Sequence, residues 1–251
     1  MDKILVNAVQ FLKELSLNPL IKQVPQHWDL DHICLRVETQ KEYDEFKTHF
    51  ESFAKLLIES KINGRMISTF QLNKPIQFND WVVDIIELPE PKPNRPYPTG
   101  FEHAEFVCDV TFEELKTLFP DGQFDADSTQ WNKEFSVSNN EITIKFHHQS
   151  LKSVIQVESQ PKCDIALRES GIFNSLKALH PVVVGTIPLG INLIESDFDI
   201  LLFSDNLSQS EVIIREKFES FPGFEISQTQ SRGEPAVVAR FSIRGVPFEL
   251  F

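Results

Sequence analysis

Hydrophobic and polar positions follow an order in the first half of the chain that occurs twice. A stripe of apolar residues at helical spacing predicts an amphipathic helix over residues 2–17. The alternating run ICLRVE predicts a strand, and Thr39 with Glu42 predicts a capping box that opens a helix through about Ala54. Two strands flanking Asn63-Gly64, a dipeptide favoured in tight hairpin turns, and a third strand, WVVDIIELP, complete a strand–helix–three-strand unit.

The same order then begins again in a weaker form. EHAEFVCDV alternates as a strand, and residues Thr111 to Phe119 predict a short helix that Pro120 ends. One or two strands between Asp125 and Val137, and a final run EITIKFHH, complete a second unit. Two successive βαβββ units predict an α+β fold, in which the paired units form a curled-sheet cup.

The pattern breaks near ESQPKCD, which predicts one domain at residues 1–160 and another at residues 161–251. Beyond the break the chain predicts a helix from Leu167 to Leu179, strands at PVVVG and DFDILLF, and a helix from Ser208 to Phe221. Three further runs, FEISQTQ, AVVARFSI and VPFELF, predict strands. This order indicates a small α/β domain that stops inside or at the end of its last strand.

Composition restricts the class of protein and its partners. A hydrophobic share of 41% in 251 residues supports packed cores in one large or two ordinary domains. A net charge of −13 argues against nucleic acid as a partner, because binding phosphates needs clustered Lys and Arg. Cys34, Cys108 and Cys163 are widely separated, which favours reduced thiols in a cytoplasmic protein. The N-terminal helix carries Asp2 and Glu14 and is too polar for a signal peptide or a membrane span.

Two histidines stand at matched positions of the two units, His32 in DHICLRV and His103 in GFEHAEFV. If a pseudo-twofold axis relates the units, both imidazoles face one cavity. Glu87, in the fourth strand of the first unit, is then matched by Lys145 or His147. Two imidazoles and a carboxylate suit Fe(II), Mn(II), Ni(II) or Zn(II), which could polarise a substrate oxygen. A strand histidine is more commonly a hydrogen-bonded structural residue, and that alternative stays open.

Two further side chains share the faces of these histidines. Because side chains alternate across a strand, Arg36 lies on the face of His32, and Glu105 lies on the face of His103. Both are candidate catalytic residues, and both could equally be hydrogen-bonding groups that line the cavity or an internal ion pair.

Five segments together, DHICLRV, ESKINGRMISTF, IIELPEPK, GFEHAEFV and TIKFHH, resemble the YecM-type branch of the vicinal oxygen chelate superfamily, which includes glyoxalases, extradiol dioxygenases and epimerases. The resemblance covers roughly residues 24–153. It implies metal ligands on the first and fourth strands of each unit, and therefore His32, Glu87 and His103. The position of the fourth metal ligand departs from the glyoxalase pattern, because Lys145 cannot bind a metal while it is charged, whereas His147 could. The resemblance assigns no reaction.

A second set of polar residues lies in the C-terminal part. Asp197 and Asp199 leave the same face of one predicted strand, where their charges repel unless a cation such as Mg²⁺ lies between them. Gly185 lets the backbone approach a phosphate, and the Thr186 hydroxyl can donate to it. Glu249 on a later strand could complete a carboxylate triad for phosphoryl transfer. A solvated turn is the plainer interpretation of Asp-x-Asp alone.

The segments GTIPLGI, SDFDI, PAVVARF and FELF are similar to the nucleotidyltransferase fold and to an uncharacterised bacterial family related to it, over residues 166–251. The resemblance implies Mg²⁺ and a nucleotide at this site, with Thr186 where relatives usually have Ser. Relatives continue into helices that form part of the nucleotide pocket. We therefore expect a C-terminally truncated copy or a remnant kept for interaction.

The sequence leaves three functions open. The first is a metal-dependent isomerase, lyase or oxygenase that acts on a small oxygen-rich substrate in the N-terminal cup. The second is a Mg²⁺-dependent nucleotidyltransferase in the C-terminal domain. The third is a non-catalytic two-domain protein that binds a small-molecule ligand. No membrane partner is expected, and a homodimer is open because such units sometimes pair across subunits.

Overall fold

A computed structural model of the chain describes residues 2–62, 64–92, 97–124, 133–139, 142–158, 160–189, 196–231 and 233–251. The chain divides into two compact units, the first reaching Ser150 and the second running from Leu151 to Phe251. This division comes earlier than the boundary predicted after residue 160, because a helix that starts at Leu151 buries Val154 and Val157 in the second core. Within the described ranges, no helix is both long and apolar enough to cross a membrane.

The first half of unit 1 follows the predicted order. It contains α1 (Lys3–Leu17), a 3-10 helix (Pro19–Gln23), β1 (Asp29–Arg36), α2 (Gln40–Phe50), β2 (Ala54–Ile62), β3 (Arg65–Phe78) and β4 (Trp81–Pro89). The Thr39–Glu42 capping box is confirmed. Helix α2 ends at Phe50, before the predicted end at Ala54, because Ala54 already pairs with Leu72 in the β2–β3 hairpin. Residue Asn63 of the predicted turn lies outside the described residues.

The second half of unit 1 repeats the order with shorter elements. It contains β5 (Gly100–Val107), α3 (Phe112–Leu118), β6 (Gln123–Phe124), β7 (Phe135–Ser138) and β8 (Thr143–His147). The side chains of Thr111 and Glu114 cap α3 reciprocally, as the side chains of Thr39 and Glu42 cap α2. Most of the predicted strand region from Asp125 onward lies outside the described residues.

The eight strands in the described part of unit 1 form one mixed sheet, in the order β2-β3-β4-β1-β5-β8-β7-β6. In each half the first strand pairs in parallel with the last, β1 with β4 and β5 with β8. The two first strands, β1 and β5, pair antiparallel to each other at the centre. Equivalent strands that run antiparallel side by side are related by a local twofold axis. The fold is therefore α+β with a duplicated βαβββ unit.

The two faces of the central strands differ in chemistry, because successive side chains point to opposite sides of a sheet. One face carries the hydrophobic core of unit 1, which is rich in phenylalanine. Its fully buried phenylalanine residues are Phe50, Phe70, Phe106, Phe119, Phe135 and Phe146. The opposite face carries buried polar side chains, including His32, His103 and Glu105. The phenylalanines thus fill the core on one face of the sheet, and the buried polar side chains lie on the other face.

Two irregularities interrupt the pairing of β1 with β5. The register shifts between Leu30 and His32, so the strand pairing skips Asp31. It shifts again between Cys34 and Leu35, so the pairing skips Glu102 of the opposite strand. An extra residue in one strand leaves the regular alternation and re-aims its side chain. Each skipped residue is an acid, and each immediately precedes a histidine.

Unit 2 contains α4 (Leu151–Glu158), α5 (Pro161–Ser170), α6 (Ile172–Ser175), a 3-10 helix (Lys177–Leu179), β9 (Val182–Val184), α7 (Thr186–Leu189), β10 (Phe198–Leu201), α8 (Leu207–Phe218), β11 (Glu225–Ser231), β12 (Glu234–Ile243) and β13 (Val246–Leu250). Its five strands form one sheet in the order β11-β12-β13-β10-β9. The helix predicted from Leu167 to Leu179 is broken at Gly171, whose φ of 63° lies in the left-handed region that ends helices.

Candidate metal centre

Strand register brings the polar residues of the two halves into two adjacent rows. In one row Cys34 of β1 pairs with Glu87 of β4 on one side and with His103 of β5 on the other. In the next row His32 pairs with Glu105, which in turn pairs with Lys145 of β8. Together with neighbouring side chains these rows form what we call the histidine cluster: Asp31, His32, Cys34, Glu87, Glu102, His103, Glu105, Lys145 and His147.

The carboxylate of Glu105 is the centre of the histidine cluster. Its Oε1 lies 3.4 Å from Nε2 of His32 and 3.1 Å from Nε2 of His103. The same oxygen lies 3.1 Å from Nζ of Lys145, and Oε2 lies 3.6 Å from Nε2 of His147. Glu105 is only 5% exposed. Three imidazoles and one ammonium therefore surround a single buried carboxylate.

The other ring nitrogen of two of these histidines is held by the acid that precedes it in the chain. Oδ2 of Asp31 lies 2.8 Å from Nδ1 of His32, and Oε2 of Glu102 lies 2.6 Å from Nδ1 of His103. A carboxylate at Nδ1 fixes the tautomer and orients the ring, which leaves Nε2 as the ligand atom. Neither acid is among the site residues predicted from the sequence. Each nevertheless directly precedes one of the two matched histidines, in the dipeptides DH and EH.

The Nε2 atoms of His32, His103 and His147 are buried, and none of them makes a hydrogen bond of acceptable geometry among the described residues. The short separations from Glu105 are therefore charge contacts whose angles do not suit a hydrogen bond. Buried polar atoms in folded proteins are nearly always paired. Three unpaired nitrogens directed at one carboxylate fit a centre that is completed by a further bound group.

Burial and charge act in opposite directions on the two acid-held histidines. Burial lowers the pKa of His32, but the charge of Glu105 and the hydrogen bond that His32 donates to Asp31 outweigh it and raise that pKa well above the usual value. Burial likewise lowers the pKa of His103, while Cys34 and Glu102 raise it well above the usual value. Burial raises the pKa of Glu105, yet Lys145 and His32 hold it well below its usual range. Protons on the two imidazoles thus offset part of the negative charge of the acids.

Lys145 and His147 occupy the fourth strand of the second half. Burial lowers the pKa of Lys145, but the charges of Glu105 and Glu134 outweigh it and raise that pKa above the usual value, so the ammonium stays charged. Its Nζ lies 2.9 Å from Oε1 of Glu134. Burial lowers the pKa of His147, which makes it a neutral imidazole. Only His147 of this pair is therefore in the protonation state of a metal ligand.

The local twofold axis assigns Lys145 a counterpart in the first half. Glu87 is paired with Cys34, two residues after His32, and Lys145 is paired with Glu105, two residues after His103. Lys145 therefore stands where Glu87 stands in the other half. The second half thus has a cation at the position where the first half has a carboxylate, and Glu105 supplies a carboxylate from the neighbouring strand.

Three sets of donor atoms lie within 4.8 Å of one another in the described part of the chain: His32, Glu87 and Glu105; Cys34, Glu87 and His103; and Asp31, His32 and His147. The predicted ligands His32, Glu87 and His103 are divided between the first two sets, which share Glu87. The predicted ligand His147 belongs to the third set. Glu105, expected as a catalytic group, joins the possible ligands.

Arg36, the second predicted catalytic residue, contacts the histidine cluster through Glu102. Its Nε lies 2.7 Å from Oε2 of Glu102, and its guanidinium lies 4.4 Å from the centroid of the Tyr97 ring. Arg36 and Glu105 thus have separate ionic partners. Arg36 orients the acid that holds His103, which is a positioning contact.

In unit 2 Asp199 and Glu249 lie on neighbouring parallel strands, whereas Asp197, predicted on the same strand as Asp199, immediately precedes β10. Asp199 of β10 pairs with Glu249 of β13, and burial with the charges of Asp197 and Glu249 raises the pKa of Asp199. Gly185 has a φ of 84°, and a Cβ built there would lie 1.8 Å from Oδ2 of Asp199. Glu249 also forms an ion pair with Arg240. Thr186 is the first residue of the short helix α7.

Comparison with known proteins identifies the family to which the N-terminal part of the chain is similar. The YecM protein family matches residues 2–134, which is more than half of the chain. The chain belongs to the YecM family. Protein YecM of Escherichia coli K12 is 31% identical to it, over 51% of this chain and 77% of that protein. A domain of unknown function, DUF4269, matches residues 165–251.

Two further similarities cover different shares of the chain. An uncharacterized protein of Haemophilus influenzae is 39% identical over 32% of this chain, which spans only 42% of that protein. The solved structure of protein EC4020 has a TM-score of 0.50 at 29% identity and covers 61% of this chain and 86% of its own. Weaker likenesses extend to a 4-hydroxymandelate synthase and to a maize glyoxalase I, with TM-scores of 0.31 and 0.20, and these carry no argument about activity.

Proposed function

We propose that the first unit is a metal-binding centre of the vicinal oxygen chelate type, in which His32, Glu87 and His103 hold a divalent transition metal. One observation carries the proposal: the buried, unpaired Nε2 atoms of the two acid-held histidines both approach Glu105. Nitrogen and carboxylate donors of this kind suit Fe(II), Mn(II), Ni(II) and Zn(II). Glu105 is a further oxygen donor, because it forms a set with His32 and Glu87.

The charges of the histidine cluster also favour a divalent cation. Asp31, Glu87, Glu102 and Glu105 are its acids and Lys145 is its permanent cation, while Glu134 and Arg36 add one charge of each sign beside it. The two raised histidine pKa values mean that imidazolium protons offset the excess of acid in the protein without metal. A divalent ion that displaces two protons leaves the total charge of the cluster unchanged. The centre can thus exchange two buried protons for one metal ion.

A bound metal would supply a Lewis acid that polarises an oxygen of a small oxygen-rich substrate. The protein's own contribution is orientation: Asp31 and Glu102 fix two imidazoles, and Arg36 holds Glu102. Lys145 keeps its charge beside Glu105 and limits the negative potential at the centre. Glu102, Lys145 and Glu87, whose side chains are 38%, 17% and 16% exposed, are the more exposed members of the cluster and give the centre its access to solvent. Isomerase, lyase and oxygenase reactions are all compatible with this arrangement.

Elemental analysis of the purified protein tests the proposal. We expect an equimolar transition metal in the wild-type protein and in His49→Ala, since His49 lies on α2 and pairs with Asp2 outside the cluster. His103→Ala should lose most of the metal, and His103→Gln serves as a second variant of similar volume if the alanine protein folds poorly. Trace metal that is the same in all four proteins would refute metal binding and favour a non-catalytic binding protein.

For unit 2 we propose, as a second candidate, Mg²⁺-dependent phosphoryl transfer on a nucleotide by Asp197, Asp199 and Glu249. The observation that favours it is the raised pKa of Asp199 beside two other acids, a repulsion that a cation would relieve. The ion pair of Glu249 with Arg240 weakens the case, since it already neutralises one acid. Nucleotide-induced shifts in melting temperature with Mg²⁺ should vanish in the double variant Asp197→Ala with Asp199→Ala. Absence of any wild-type shift would refute this candidate.

A further inference from the structure

We infer that Cys34 is a sulfur ligand of the metal ion that the histidine cluster holds. This inference rests on the proposed metal centre and adds a donor to the ligands predicted from the sequence. It changes the predicted preference of the centre among metals, because a thiolate is a softer ligand than a carboxylate or an imidazole.

The position of Cys34 in the sheet brings three donors together. Cys34 of the central strand β1 pairs directly with Glu87 on one side and with His103 on the other. Its sulfur, a Glu87 oxygen and a His103 nitrogen all lie within 4.8 Å of one another. Donors that share an ion at about 2.0–2.3 Å are separated by less than about 4.6 Å. Small side-chain movements therefore suffice to close the three donors on one ion.

The local twofold axis gives an independent reason to consider this thiol a ligand. Cys34 follows His32 by two residues, and Glu105 follows His103 by two residues, so the two are counterparts on the paired strands β1 and β5. Glu105 is the residue that contacts three histidines. Each half of the unit thus offers one histidine and one anionic donor at the same two positions.

A buried cysteine commonly packs as a small apolar residue, and Cys108 of the same unit is an example. Cys108 is 3% exposed and belongs to the hydrophobic core, where burial raises the pKa of its thiol to about 12. Cys34 is 1% exposed but lies on the polar face, between a carboxylate and an imidazole. Its thiol would bind the ion with loss of its proton to solvent, and no redox partner is needed.

Cobalt(II) is the probe, because a cobalt–thiolate bond gives a charge-transfer absorption band in the near ultraviolet that nitrogen and oxygen ligands do not give. We expect this band in the wild-type protein loaded with Co²⁺ and in the double variant Cys108→Ser with Cys163→Ser, which leaves Cys34 as the sole cysteine. Cys34→Ser should retain cobalt and lose the band. The double variant gives a test that does not require the Cys34 variant to fold.

The affinity for metals gives a second readout. Cys34→Ser should weaken Zn²⁺ binding by more than about 100-fold, since losing even an outer partner of a ligand costs 10–100-fold. Mn²⁺, which prefers oxygen donors, should be affected much less. Stoichiometric cobalt binding without the band, at equal affinity in Cys34→Ser, would overturn the inference and leave the metal centre standing. No cobalt binding in any variant would instead refute the proposed function itself.

Discussion

Asp31 and Glu102 make the same contact at matched places of the two halves, each with its carboxylate at Nδ1 of the histidine that follows it, at 2.8 and 2.6 Å. Each acid reaches that position because the β1–β5 pairing skips it. The two halves thus share the contact that holds the histidine as well as the histidine itself. Such outer partners orient the imidazole and raise its basicity as a ligand.

Removing one of these acids should weaken metal binding without removing any donor. We expect Asp31→Asn to lower the affinity for Zn²⁺ by about 10–100-fold, because the His32 ring loses its fixed tautomer and orientation. Asp29→Asn is a matched control, since Asp29 is an exposed acid on the same strand. Isothermal titration with Zn²⁺ measures both variants. Equal affinities would show that Asp31 does not orient His32.

Metal binding should become tighter as the pH rises. The pKa values of His32 and His103 are raised well above the usual value, so both imidazoles carry protons that a metal ion must displace. Calorimetric titrations in buffers of different ionisation enthalpy should show protons released on binding. Release that is unchanged in His32→Gln would contradict the assignment of one of those protons to His32.

The same protons should stabilise the protein without metal at low pH. A raised histidine pKa contributes stability that is fully present below the unfolded value of about 6.5 and is lost as the pH rises through the folded value. The lowered pKa of Glu105 acts oppositely, and its contribution is lost as the pH falls through the folded value. Urea midpoints of the chelator-treated protein should therefore fall as the pH rises above the usual histidine pKa. His32→Gln should flatten that decline.

Glu105 should matter for stability as well as for ligand binding. Glu105→Gln leaves Lys145 and the imidazolium groups without their shared counter-charge, and breaking a buried ion pair costs about 3–5 kcal/mol of unfolding free energy. Glu45→Gln is the control, because Glu45 forms an exposed pair with Lys41 and such changes usually stay within about 0.5 kcal/mol. Urea unfolding followed by tryptophan fluorescence measures both. A small effect at Glu105 would mean that solvent already screens the cluster.

Gly185 should tolerate no side chain, for a reason specific to unit 2. Gly185→Ala places a Cβ 1.8 Å from Oδ2 of Asp199, in addition to the cost of a left-handed φ. Gly223→Ala is matched, because Gly223 also has a positive φ but meets nothing within 4 Å. The backbone cost alone is about 1–2 kcal/mol. Gly185→Ala should therefore lower the melting temperature clearly more than Gly223→Ala, and equal losses would show that Asp199 simply moves away.

Sequence pattern and structure agree best where local physics decides the outcome. The capping boxes at Thr39 and Thr111 are confirmed, because a cap is made by residues three positions apart. The predicted ends of helices and strands agree less well with the structure. Helix α2 ends at Phe50, because Ala54 already pairs with Leu72 in the β2–β3 hairpin. Helix α4 is missing from the sequence prediction, since its amphipathic stripe becomes visible only against the core that it covers.

The sequence by itself determined the duplicated βαβββ order and the matched histidines at residues 32 and 103, because strand and helix periodicity and helix caps are local signals. Only the tertiary structure decided that Glu105 is the common neighbour of three histidines, and that Lys145, the counterpart of Glu87, is its ionic partner. The reason is that strand register, and the two skipped acids in particular, are fixed by pairing between distant segments. A pattern read along one strand gives the face of each side chain, and the pairing gives its neighbours.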